Sequence, residues 1–385
     1  MQHSSYIELS QLALKNNIKY LRKQIGDSVK FVSVIKGNAY GHGFTHFIPM
    51  AEACGLDYFA VFDACEAEMA FTAKQPKTEI MIMGWIANED IEWAIEHDIS
   101  FFVFEFNRLD KTIEIAKKLK KKAKIHLEVE TGLHRTGLCG DELKKAVETI
   151  KLNEEHVFIE GVCSHFAGAE SIANYVRVHK QIDCFNEVKK WLSSKDIVPK
   201  YYHTACSAAA FVYPETRMDM VRIGIAQYGY WPSEEIRIHH LISGDISLTQ
   251  RPLQRVLTWK SKVMSIEHVK TGEFIGYGNS FQARKDTTIA TVPVGYFHGY
   301  RRSLSNVGYV LIKGKKAPII GMVNMSVMVV DITFIPLVQK GDEVVLIGKQ
   351  GNNTITVASF SESLNLVNYE FLVRLPMQIP RIVKE

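Results

Sequence analysis

Lys36 ends a run, Phe31-Val32-Ser33-Val34-Ile35, whose branched apolar side chains read as a buried strand. Gly37, Gly41 and Gly43 follow within seven residues, a turn that continues neither strand nor helix. A lysine at the edge of a low-dielectric core is disfavoured as ammonium. The neutral amine is a nucleophile suited to a Schiff base with a carbonyl. Other residue types with chemical potential stand in comparable places. Arg222 lies inside the apolar run 219–229, where a charge is costly unless paired. His165 follows the run 158–162, and Ser207 stands between a strand-like stretch and small helix formers. In 125–130, alternation turns His126, Glu128 and Glu130 to one face and Ile125, Leu127 and Val129 to the other. The inward acids need a partner, and Arg135 in the next loop is the natural one. Tyr277 sits between Gly276 and Gly278. Taken singly, each also has an ordinary reading: solvated lysine, core histidine, helix-capping serine, ion-paired arginine or turn tyrosine.

These residues depend on elements that the pattern makes visible. Strand-like runs recur at 31–35, 58–62, 79–83, 100–104, 125–129, 158–162, 201–204 and 221–226. Helical stretches at 45–53, 64–73, 108–119, 142–150 and 172–192 separate most of them. Eight strands alternating with helices predict a TIM barrel, with its site at the carboxyl ends of the strands. A doubly wound sheet competes, but no G-x-G-x-x-G follows the first strand. After about residue 245 helical periodicity fades into β-rich runs at 256–266, 288–293, 308–312, 326–332, 343–347 and 354–357. The reading is a barrel over 10–243 and a mainly β domain over 244–385, with residues 1–9 able to pair with the latter.

Composition narrows the function class. A charged share of 23% beside a hydrophobic share of 46% is that of a soluble globular protein. The net charge of +4 is small, and the basic run 117–124 reads as a solvated helix end, so nucleic acid is not indicated. No stretch of 18 apolar residues suggests a membrane span, and no basic-then-apolar leader opens the chain. The six cysteines form no C-x-x-C pair. That predicts neither a disulfide framework nor a metal site, and suits a reduced cytoplasm.

The stretch 31–43 resembles the pyridoxal phosphate (PLP) lysine motif of the alanine racemase family, with Lys36 at the tethering position. The likeness runs in order from Tyr6 to Arg381. It implies Tyr40, His165, Ser207, Arg222, Gly224, Ile225 and Tyr369 as cofactor-binding residues, with Arg222 against the pyridine nitrogen. It implies Arg135, Met325 and Tyr296 as substrate-binding residues, and Lys36 and Tyr277 as the two bases of racemisation. Tyr277 would come from the other subunit of a homodimer. An unperturbed tyrosine titrates near ~10, so its pKa must fall for that role. His165 and Arg222 are the expected cause. The implied reaction interconverts L- and D-alanine for peptidoglycan. Three departures bear on specificity. Glu128 stands where many members carry a carbamylated lysine, and supplies an anion to Arg135 directly. Met322 and Ser326 replace an arginine and an acidic residue of the access channel, and Asn324 replaces a common cysteine. They leave a broader racemase, acting on serine or lysine, as an alternative. A PLP decarboxylase on the same barrel, or a non-catalytic PLP-binding protein, is the further alternative.

Overall fold

The runs of β-branched and aromatic residues form strands, as their pattern predicts. In a computed structural model describing residues 3–247, 249–361 and 368–385, the chain divides into two compact units. One consists of Ala13–Gly37 and Phe47–Gln254, the other of Met1–Leu12, Asn38–His46 and Arg255–Glu385.

The first unit is a (β/α)8 barrel. Its strands are Lys30–Val34, Tyr58–Val61, Glu79–Ile82, Ser100–Val103, Ala123–Glu128, Val157–Cys163, Tyr201–His203 and Met220–Ile223, each parallel to its neighbours. They coincide with the eight expected runs. Strands such as Tyr58–Val61 are buried at every position, because helices cover one face and the barrel fills the other. Closure between the last two strands is looser. It rests on an isolated bridge, Cys206 to Arg222, and on Arg222 N donating to Ala205 O at 3.0 Å. The helices bury one stripe each. In Gly140–Lys151 the buried residues are Leu143, Ala146, Val147 and Ile150, spaced three and four apart. Asp141 and Glu142 in its first turn and Lys151 in its last suit the helix dipole. Polar side chains are nevertheless buried in this unit, among them Ser33, His126, Glu128, Glu160, His203, Arg222 and Gln227. Each needs a partner.

The second unit is built on a seven-stranded sheet. Its path runs Lys315–Pro318, Tyr309–Ile312, Glu343–Gln350, Leu257–Lys262, Ser5–Ser10, Arg381–Lys384, with Asn353–Ile355 beside Glu343–Gln350. Ser5–Ser10 pairs antiparallel with Leu257–Lys262 and parallel with Arg381–Lys384. A separate three-stranded sheet contains Ser265–Val269, Thr287–Val292 and Met328–Asp331. The run 256–266, read as one strand, is two. The chain leaves one sheet at Val263, whose amide bonds Asp342 O, and enters the other at Met264, which bonds Thr291 O. All six cysteines carry free thiols. Among the described residues no helix is long and apolar enough to cross a membrane.

Candidate active site

Strand ends create the site in the barrel unit. Ile35 N continues the ladder by donating to Ala60 O at 2.8 Å, and Lys36 then opens a short helical turn, Lys36–Tyr40. Its φ angles are +64° at Gly37, +54° at Asn38 and Ala39, and +51° at Tyr40, so the turn is left-handed. Side chains at such φ cost roughly 1–2 kcal/mol each. Dense bonding holds them. Gly37 N donates to Glu66 Oε1 at 2.6 Å, while Glu66 Oε2 takes Phe62 N at 2.8 Å. His42 Nδ1 lies 2.9 Å from Ala39 O and 3.1 Å from Tyr40 O. Arg381 Nη2 donates to Gly41 O at 2.9 Å. The Lys36 side chain is solvent-accessible, yet most of the volume around it is protein. That desolvation, reinforced by the charges of Arg135 and Arg222, lowers its pKa against the pull of Glu66. The strand-end amine is therefore predisposed to the neutral form, which is what a nucleophile requires.

Arg222, on Met220–Ile223, is buried. Its Nη1 donates to His203 Nδ1 and, at 2.9 Å, to His203 O. Its Nη2 donates to Ser164 O at 2.8 Å and Thr204 O at 3.2 Å. Among the described residues no carboxylate lies within 4 Å of it, which overturns the reading as a structural ion pair. Nε remains as the donor without an acceptor among the described residues. His165 is half-buried, and its pKa falls to about 3, first through desolvation and then through Arg222, Arg135 and Lys36. Its imidazole makes no hydrogen bond to a described residue; the expected link to a network is absent at that ring. His203, which the sequence reading passed over, holds the guanidinium instead. The signal was there: a histidine at a strand end, in the same run as Ser207.

Ser207 is the first residue of the helix Ser207–Val212, not its cap, which is Cys206. The Ser207 hydroxyl accepts from Gly224 N at 2.9 Å, so the chain joins Ser207 to the Gly224-Ile225 step. The hydroxyl keeps its own proton to donate. The opening amides of this helix and of the turn Ile225–Tyr228 lack intrahelical partners. Such donors fit a phosphate.

Arg135 is exposed in the loop after Ala123–Glu128. Glu130 shapes this loop by accepting from Gly132 N and, at 2.8 Å, from His134 N. Contrary to expectation, no ion pair within 4 Å joins Arg135 to Glu128 among the described residues. Burial pushes the Glu128 carboxyl up, opposed by the Thr136 hydroxyl and by the charges of Arg222 and Arg135.

The remaining expected residues belong to the second unit. Tyr40 and Tyr369 meet edge to face, with ring centroids 6.1 Å apart. Gly41 permits this approach, since a Cβ there would fall 2.0 Å from Leu372 O. Tyr296 and Met325 share one loop junction: Tyr296 N donates to Asn324 O at 3.0 Å and Phe297 N to Met325 O at 2.9 Å. The Tyr277 loop lies against that of Met322, because a Cβ on Gly321 would meet Ile275 O at 2.7 Å. Tyr277 itself is 73% exposed.

The chain matches the model of the alanine racemase N-terminal domain over residues 9–232 and that of the alanine racemase C-terminal domain over 256–383. An alanine racemase of Leptospira interrogans is 32% identical over 381 residues, covering 99% of this chain and 96% of the relative. One from Methanococcus maripaludis is 33% identical over 384 residues, covering 99% of each. The structure is similar to that of Bacillus anthracis alanine racemase with bound L-Ala-P (TM-score 0.90, 30% identity, 100% of this chain and 96% of that one). It is also similar to Bartonella henselae alanine racemase with covalently bound pyridoxal phosphate (TM-score 0.83, 25% identity, 100% of each). With both domains matched and the barrel residues joined at the strand ends, the chain belongs to the alanine racemase family and is an amino-acid racemase, an isomerase.

Proposed function

We propose that this protein is a PLP-dependent alanine racemase. The observation that carries the reading is Arg222, held by carbonyls and His203 with no carboxylate beside it and with Nε uncommitted. The donor set fits the cofactor: Lys36 Nζ would hold it covalently, and Arg222 Nε would meet the ring nitrogen. The Ser207 hydroxyl proton and the Ile225 amide would take the phosphate, with Gly224, whose own amide is held by Ser207, setting their spacing, and Tyr40 and Tyr369 as further ligands. When bound, the cofactor would withdraw electrons from the substrate's α-carbon and so acidify its proton. An arginine stays charged, so Arg222 keeps the ring nitrogen unprotonated and that withdrawal weak. Weak withdrawal favours return of a proton to the α-carbon over transamination or loss of carbon dioxide.

Lys36 Nζ moves the α-proton on one face of the substrate, and the Tyr277 hydroxyl moves it on the other. Tyr277 is exposed and flanked by Gly276 (φ +78°) and Gly278 (φ +74°), which suits a side chain offered to a second copy. The active form is then a homodimer. Arg135, Met325 and Tyr296 receive the substrate, and the product D-alanine serves peptidoglycan synthesis in the cytoplasm. The domains doing this are the barrel unit, Ala13–Gly37 with Phe47–Gln254, and the sheet unit, Met1–Leu12 with Asn38–His46 and Arg255–Glu385. The test is chiral analysis of the protein with PLP and single L-amino acids in heavy water. Deuterated D-alanine from alanine alone supports the reading. Comparable turnover of serine or lysine would move the assignment to a broad racemase, whose access channel is altered at Met322, Asn324 and Ser326. No exchange with any of them would overturn it.

A further inference from the structure

Inside the barrel unit, Arg222 is the end of a chain of buried side chains. His203 Nε2 lies 2.8 Å from His126 Nδ1. His126 Nε2 lies 3.5 Å from Glu160 Oε2 and 3.2 Å from the Tyr58 hydroxyl oxygen. Tyr58 in turn donates to Glu160 Oε2 at 3.1 Å. Lys200 Nζ reaches Glu160 Oε1 at 3.4 Å from a half-exposed position. We infer that Glu160, His126 and His203 form a one-directional hydrogen-bond relay that positions Arg222, with Glu160 as the guanidinium's remote counter-ion.

The direction follows from the inventory of donors. A guanidinium nitrogen only donates, so His203 Nδ1 must be bare. His203 then carries its proton on Nε2 and donates to His126 Nδ1, which must also be bare. His126 therefore carries its proton on Nε2, where the acceptors are the Glu160 carboxylate and the Tyr58 oxygen. Protonating His126 at both nitrogens would force the His203 proton onto Nδ1 and set an N–H against the Arg222 N–H. No arrangement but the neutral, Nε2-protonated pair satisfies both ends. Desolvation acts the same way on both rings, lowering their pKa values, and against its own burial the Glu160 carboxyl is held below the usual carboxylate range by the hydrogen bonds from His126 and Tyr58 and by the Lys200 charge.

A second observation marks the pair as built in. Gly161, on the intervening strand Val157–Cys163, has no need of unusual backbone angles, yet a Cβ there would fall 2.2 Å from His126 Nδ1 and 2.8 Å from His203 Nε2. The glycine makes room for the two rings at the bond between them. The outcome is an arginine whose orientation is fixed by a carboxylate two imidazoles away. No anion beside it then diminishes its charge at the strand ends. Glu160, His126 and His203 are thus positioning residues for the reaction.

The role assigned to Arg222 rests on the racemase reading, but the relay is tested apart from it. Long-range proton–nitrogen correlation on the holoenzyme with nitrogen-15 histidine, assigned by single replacements, should show His126 and His203 as neutral Nε2–H forms from pH 6 to 8. Glu160→Gln keeps an oxygen acceptor and should preserve both tautomers. Gly161→Ala removes no polar group, and should disturb both rings and lower racemisation about 10- to 100-fold, the usual cost of losing an orienting partner. An Nδ1–H form or an imidazolium at either ring would overturn the relay. So would Gly161→Ala with unchanged tautomers and rate. If the protein racemises nothing, the tautomers still decide the relay while the functional reading fails.

Discussion

Replacing Gly41 by alanine tests whether the left-handed turn after Lys36 is held by contact as well as by backbone conformation. Gly41 has φ +81°, and its added Cβ would sit 2.0 Å from Leu372 O and 2.9 Å from Leu372 C, both backbone atoms within Asn368–Val373. The backbone there cannot rotate away as a side chain would, so more than ~1 Å of separation must open. The left-handed φ costs an alanine roughly 1–2 kcal/mol. Overpacking adds roughly 1–3 kcal/mol. The expected loss is therefore roughly 2–5 kcal/mol. Gly272 provides the control in the same unit, with φ +90° and nothing within 4 Å of its Cβ, so Gly272→Ala carries only the first cost. Urea denaturation followed by circular dichroism compares the midpoints. Gly41→Ala should unfold well before Gly272→Ala and should weaken PLP binding, because it separates Tyr40 from Tyr369. Equal midpoints and equal cofactor affinity would refute the argument that close approach fixes this residue.

Lys36→Ala should abolish covalent retention of PLP on the chain and nearly all racemisation, read by absorbance after gel filtration and by chiral analysis. Normal turnover would remove Lys36 from the chemistry. Tyr277→Phe should slow proton transfer in one direction more than in the other, seen as unequal α-hydrogen exchange of L- and D-alanine in heavy water; equal small effects on both would take the second base away from it. His42 is fully buried, and desolvation holds its pKa down to about 3. Unfolded histidine binds a proton near ~6.5, so between about pH 3 and 6.5 the unfolded chain holds the extra proton and stability falls as pH falls. The slope from this one group is about 1.4 kcal/mol per pH unit. His42→Gln should reduce the measured pH slope by one proton across pH 4–6, and an unchanged slope would show that His42 titrates normally.

Hydrophobic periodicity made the barrel legible because each strand is a short apolar run and each helix a three-and-four stripe. The second unit was harder to read. Ser5–Ser10 and Arg381–Lys384 are joined by pairing across almost the whole chain, and nothing local marks such a partner. The chain passes from one sheet to the other at 263–264 without a glycine or proline to signal the break. In the site, residues with a strong local pattern stood out: Lys36 at a strand end, Arg222 in an apolar strand, Ser207 at a helix start. Glu160 left no such mark, since an acid inside an apolar strand reads as a solvent-facing alternation until the neighbouring strands supply His126 and Tyr58.

The Glu128–Arg135 pair shows where reading from sequence stops. Opposite charges seven residues apart, on a strand end and its loop, suggest an ion pair, and one-dimensional spacing allows it. Backbone demands decide otherwise. Glu130 spends both oxygens on the amides of Gly132 and His134. Gly137, with φ +125°, folds the loop back so tightly that a Cβ would lie 2.5 Å from Glu130 N. The loop's shape is thus fixed by Glu130 and Gly137, and Arg135 goes where that shape carries it, into solvent. An arginine held this way is available to an anion that arrives from outside, whereas one locked to Glu128 would have to give up that pair first. For a residue expected to receive a substrate carboxylate, the unpaired arrangement is the more useful one.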